Sequence, residues 1–147
     1  MSIFLQFIAL FGIGAFVSFL LGVRQTFVFK NPYGLTPLLL PYGMFVWGDT
    51  VLLGMFWSTV CTLSYFSENT KLFLISSCVF WMVRSAGEVF YWLLQQFAAN
   101  KRDLPETLAG HTLFPGESIW FAYQVGWQIV FIVATCILLQ LLGFGLV

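Results

Sequence analysis

Arg84 and Glu88 lie four residues apart in an apolar stretch, WMVRSAGEVFYWLLQQ, positions 81–96. Four residues are close to one helical turn, so the two side chains share a face and can pair. A third ionisable residue, Asp49, stands in another apolar stretch, and Glu117 opens a further one. A charge at the centre of a membrane helix costs about 2.5–3.5 kcal/mol on the insertion scale and by default marks a site. One arginine against Asp49 and Glu88 leaves one carboxylate without a basic partner in the membrane. That carboxylate is protonated, hydrogen-bonded by Gln124 or Gln128, or open to a cation. Two kinds of chemistry follow: a buried network that fixes helix register, or a binding site or path for ions or protons.

Spacing gathers further polar residues onto the same faces. Ser77, Trp81, Arg84, Glu88, Tyr91 and Gln95 follow steps of four and three, one stripe of a helix. Glu117, Phe121, Gln124, Gln128 and Thr135 repeat that heptad spacing further on, and Thr50, Gly54, Ser58 and Thr62 make a small-residue stripe beside Asp49. At 1.5 Å per residue, Asp49 is expected about 12 Å into its helix and Arg84 about 10–15 Å from the same membrane surface. The expected seam comprises Asp49, Arg84, Glu88, Gln124 and Gln128, with Tyr91 and Tyr123 as hydrogen-bonding neighbours. Gly14, Ser18 and Gly22 form a small-xxx-small face that permits close helix approach.

The elements that must position these residues are membrane helices. Of 147 residues, 60% are hydrophobic and 8% charged, against about 25% charged in a soluble domain. Lipid is therefore the expected solvent for most of the surface. A net charge of zero gives no basic patch for nucleic acid. The expected fold is all-α and integral to a membrane, a single domain of four transmembrane helices in a bundle, with spans at about 3–23, 41–66, 71–97 and 116–142. The first span lacks a basic leader and a small-residue cleavage site, so it reads as a retained helix rather than a signal peptide. Pro37 and Pro41 cannot both occupy a first helical turn. The regular second helix is placed from about Pro41, with the residues from Leu35 to Leu40 as an interfacial or shallowly re-entrant lead-in. In the third loop, Asp103 and Glu106 have capping-box spacing around Pro105, and Gly110 supplies a stop. That predicts a short interfacial helix near Leu104–Ala109.

Arg24, Lys30, Lys101 and Arg102 fall in the two loops on one side, and Lys71 alone on the other. The bias puts those two loops in the cytoplasm and both termini on the non-cytoplasmic side, in a plasma or inner membrane. Cys61, Cys78 and Cys136 sit in apolar runs with no paired spacing and read as small buried hydrophobes. His111 has no second histidine nearby, so no metal or cofactor is expected. Glu117 reads as a helix-start residue favoured by the dipole. Trp57, Trp92 and Trp120 read as interface anchors, and Trp47, Trp81 and Trp127 as deeper packing. No hydrolase or metalloprotease motif is present.

The function expected from these residues is that of a non-enzymatic subunit or accessory protein, packed against itself or another membrane protein through the Gly14–Ser18–Gly22 face. A homo-oligomer or a membrane-protein partner is expected, along with the lipid bilayer. The alternative is a small oligomeric transporter or channel, ion- or proton-coupled, lined by the charged seam. A lipid-modifying membrane enzyme using carboxylates and His111 is the third reading.

Overall fold

A computed structural model describes residues 2–144. They are mostly helical: α1 (Ile3–Val23), α2 (Trp47–Phe66), α3 (Thr70–Phe97) and α4 (Ser118–Leu141). Three segments are long and apolar enough to cross a membrane: Ile3–Val28, Thr70–Phe97 and Ser118–Leu141. α2 is not among them. Asp49 and a run of hydroxyl residues dilute its hydropathy. The chain divides within α3 into two compact units, Met1–Ser76 and Ser77–Val147.

In the first unit α1 starts at Ser2, whose hydroxyl accepts the Leu5 N–H. That satisfies one of the orphan donors at a helix start. The helix runs on through a π-helical turn, Arg24–Val28. α2 returns antiparallel, because Gly12 faces Cys61, Phe19 faces Gly54 and Gly22 faces Thr50. A Cβ on Gly54 would stand 2.9 Å from the Phe19 backbone. The glycine is therefore what lets the two helices touch. Gly22 and Ser18 are buried, and Ser18 returns its hydroxyl to Gly14 O at 2.8 Å.

The connection between α1 and α2 is folded back between them. A 3-10 helix, Pro37–Tyr42, takes both prolines, and Gly43 ends it in the left-handed region at φ 72°. Leu35 and Val46 pair across the loop's mouth as an isolated antiparallel bridge. Tyr42 reaches the middle of both helices: its hydroxyl donates to Phe11 O at 3.3 Å, and its carbonyl accepts the Trp57 indole N–H at 2.9 Å. Phe11 packs against Tyr42, Trp57 and Phe73, with ring centroids 4.3, 5.3 and 5.8 Å away. The lead-in expected before α2 is therefore re-entrant with respect to its own hairpin. The expected helix start near Pro41 is corrected to Trp47. Two prolines four apart suit a 3-10 turn, and the Gly43 reversal sends the chain back through extended Val46 before α2 begins.

In the second unit, α3 ends at Phe97 and α4 starts at Ser118, each within two residues of expectation. Its core is Trp92, Ile119 and Trp120, flanked by Tyr91, Leu108, Tyr123 and Trp127. The short helix expected near Leu104–Ala109 reduces to a 3-10 turn, Pro105–Thr107. Asp103 does not cap it, because its carboxylate is taken by a tertiary partner described below. Leu104 occupies the cap position, with no side-chain bond.

Candidate functional site

Asp49 is the first of the anticipated seam residues along the chain. It lies in the first turn of α2, not deep within it. Its carboxylate accepts the backbone N–H groups of Phe45 (3.0 Å) and Val46 (3.4 Å). That is a helix-start role, favoured by both the orphan donors and the dipole. The depth expected for Asp49 is corrected with the helix start. Moving the start from Pro41 to Trp47 removes about 9 Å of helix ahead of it. The hydroxyls following it are satisfied locally: Thr50 donates to Trp47 O, Ser58 to Gly54 O and Thr59 to Met55 O.

The second unit brings most of the remaining residues together. Arg84 Nη2 lies 3.1 Å from Glu88 Oε1, and both side chains are largely buried. Along the same stripe the Tyr91 hydroxyl donates to the Asp103 carboxylate. One turn further, buried Gln95 donates to Asp103 O at 3.0 Å and accepts the Arg102 N–H at 3.3 Å. The Trp120 indole, from α4, donates to the same Asp103 carbonyl at 3.1 Å. Lys101 donates to the carbonyls of Gln95 (2.9 Å) and Gln96 (2.8 Å) at the end of α3. Its ammonium also lies 4.7 Å from the centre of the Trp120 ring. A cation on the last helical carbonyls satisfies acceptors that have no partner within the helix and complements the dipole. Lys101, Arg102 and Asp103 thus clamp the loop onto both helices.

Gln124 meets Gln96 of α3, which donates to its side-chain oxygen at 2.7 Å. Tyr123 stacks on Trp92, with centroids 4.7 Å apart, and its hydroxyl donates to Ala109 O at 3.1 Å. Gln128, one turn beyond Gln124, is exposed, as is Phe121. The face that α4 buries is centred on Ile119 and Trp120, so the heptad stripe through Phe121 and Gln128 is not its interior. Glu117 sits at the cap position of α4 and makes no cap bond there. His111 is exposed, with Nδ1 3.1 Å from Leu108 O. Among the described residues no cluster of three His, Cys, Asp or Glu could hold a metal.

Sequence reasoning missed Lys101, Asp103, Gln96 and Trp120 as members of this network. A signal existed for Lys101, a basic residue just past the end of a helix. None existed for Asp103, whose partner Tyr91 stands twelve residues away and whose local spacing advertised a cap.

Beside the clamp runs a groove of about 380 Å³. Its floor is Ala122 and Gly126 of α4, with Tyr123 and Trp127 alongside, and loop residues Gly110 and Phe114 line it too. No family model, no curated protein and no solved structure matches this chain.

Proposed function

We propose that the chain is a four-span integral membrane protein acting as a non-enzymatic subunit or accessory protein, in a plasma or inner membrane with both termini on the non-cytoplasmic side. α2 is taken as the fourth span. It has 20 residues, enough for about 30 Å of hydrocarbon, and Thr50, Ser58 and Thr59 return their hydroxyls to its own backbone. The observation that carries the reading is how the polar residues are engaged. Asp49 caps a helix, Tyr91 and Asp103 close a loop, Gln124 joins Gln96, and Tyr123 holds Ala109. Polar residues in a membrane that bond within one hairpin serve architecture. A path needs groups that can exchange partners with a passing ion. The carboxylate surplus that pointed to a cation is reduced by the capping role of Asp49. The small-residue face of α1 packs within the chain, so a partner or second copy would use another surface.

One observation favours transport as a second reading. The Arg84–Glu88 pair and the Tyr91–Asp103 bond follow each other along one stripe of α3 towards the loop. Reconstituted vesicles separate the two. A subunit gives no proton or cation flux above protein-free vesicles, and Glu88→Gln then changes thermal stability alone. Flux that Glu88→Gln abolishes in a folded protein would replace the subunit reading with the transport one. A photocrosslinker at exposed Phe121 should yield a defined protein adduct, and adducts to lipid alone would count against a subunit role.

A further inference from the structure

We propose that the segment from Leu35 to Val46 lies inside the bilayer as a re-entrant limb, with lipid acyl chains covering its outer leucines. The inference rests on the reading of α1 as a membrane span, not on the subunit role. Depth is the first argument. The limb leaves and rejoins the hairpin at one level: Gly34 O accepts the Trp47 N–H at 3.1 Å, and a Cβ on Gly22 would stand 3.2 Å from Trp47 O. Gly22 is the last residue but one of α1. From there the limb runs back along α1, and its Tyr42 hydroxyl reaches Phe11 O. Phe11 to Val23 is about 18 Å of helix, in a hydrocarbon core about 30 Å thick. The Tyr42 carbonyl meets the Trp57 indole, halfway along α2. A membrane-spanning α1 therefore carries the limb below the surface and its tip towards mid-depth.

Its chemistry suits hydrocarbon. From Asn31 to Gly48 no residue is charged. Backbone polar groups in hydrocarbon must find partners within the protein, and non-helical backbone persists there only when they do. The N–H groups of Thr36, Leu39, Gly43 and Met44 bond to carbonyls of the limb itself. Those of Phe45 and Val46 go to the Asp49 carboxylate. Pro37 and Pro41 have none to satisfy. The limb's polar side chains, Thr36 and Tyr42, bond inward, to Met44 O and Phe11 O. Thr36 and Met44 are buried, while Leu35, Leu38 and Leu40 are 79%, 90% and 51% exposed. The outer side is thus left without a side chain that could hydrogen-bond to or pair with another protein, whose interfaces carry a polar rim. Acyl chains need none.

The test uses the full chain in phosphatidylcholine vesicles, with a small fluorescent amino acid placed by codon suppression at Leu38, Leu10 or Tyr33 in turn. Each position is exposed, so the label should leave the fold intact. Nitroxide-labelled phosphatidylcholine quenches the label from the acyl chain or from the headgroup, and iodide quenches it from water. Leu10, beside Phe11 in α1, calibrates depth. At Leu38 and Leu10 the acyl-chain nitroxide should quench more strongly than the headgroup nitroxide, and iodide should have no effect. Tyr33, ahead of the limb, should show the reverse order. Headgroup or iodide quenching at Leu38, with Leu10 still quenched from the acyl chain, overturns the proposal. So does protection of Leu38 from all three quenchers, which would mean that protein covers it. Headgroup or iodide quenching at Leu10 would instead overturn the spanning reading of α1.

Discussion

The two units are both helical hairpins whose loops are tied to the helices, yet they are tied by opposite means. In the first, the backbone does most of the work. Gly12, Gly14, Gly22 and Gly54 each stand where a Cβ would strike a neighbour across the hairpin or its loop, and the loop closes through its own backbone bridge. In the second, long side chains do it: Tyr91, Gln95 and Trp120 hold Arg102 and Asp103, and Lys101 of the loop reaches back to the end of α3. The glycines Gly87 and Gly126 there have open space around them. Close backbone approach fills a hairpin. Side-chain tethering holds one together while leaving room beside it, and the groove on α4 is that room. Glycine in a membrane helix thus has two meanings, and only its neighbours distinguish them.

Substitutions can break this contrast or sharpen it. The largest effect is expected for Gly54→Leu. It forces side-chain atoms into the Phe19 backbone and should destabilise the protein by about 3 kcal/mol, the upper end of ordinary overpacking, read as thermal unfolding in detergent. If it is neutral, close approach does not hold the first hairpin. Asp103→Ala should cost about 1–3 kcal/mol through the unpartnered Tyr91 hydroxyl. Its hydrogen-exchange signature should be confined to the loop between α3 and α4. Tyr91→Phe in the same background should recover most of that loss, because it removes the stranded hydroxyl. Asp49→Ala removes a helix cap and should cost about 1 kcal/mol, with faster exchange at the Phe45 and Val46 amides. The smallest effect has the opposite sign. Gly126→Ala should stabilise by about 0.4–1 kcal/mol, whereas Gly54→Ala should destabilise.

Three of the helices were legible because their apolar runs are continuous and long, and the cap chemistry that sets their ends is local. The start of α2 was not. Two prolines four apart suit either a helix entrance or a 3-10 turn, and the choice depends on Tyr42 finding Phe11 and Trp57 across the hairpin. Arg84, Glu88, Tyr91 and Gln95 share one face of α3 because helical periodicity fixes it, and Tyr91 and Gln95 both reach Asp103. The corresponding stripe on α4 failed. Polar spacing named Gln124 and Gln128, while the large aromatic Trp120 and neighbouring Ile119 decided which side is buried. Asp103 shows the same limit. A capping pattern is a local signal, and a tyrosine on the preceding helix outcompetes it.

The hairpin of the first unit has a consequence for how the chain enters a membrane. Its aromatic cluster ends at Phe73, so every residue it needs has been synthesised before the rest of α3 and all of α4. Parts of a protein fold as units in the order they are made. Tyr42, the Trp57 indole and Asp49 can therefore find their partners while the ribosome is still working. On the four-span reading proposed above, they then meet lipid as a paired, internally bonded insertion unit and not as bare polar groups. Ribosome-bound chains stalled after the first hairpin should already resist protease at the loop between α1 and α2.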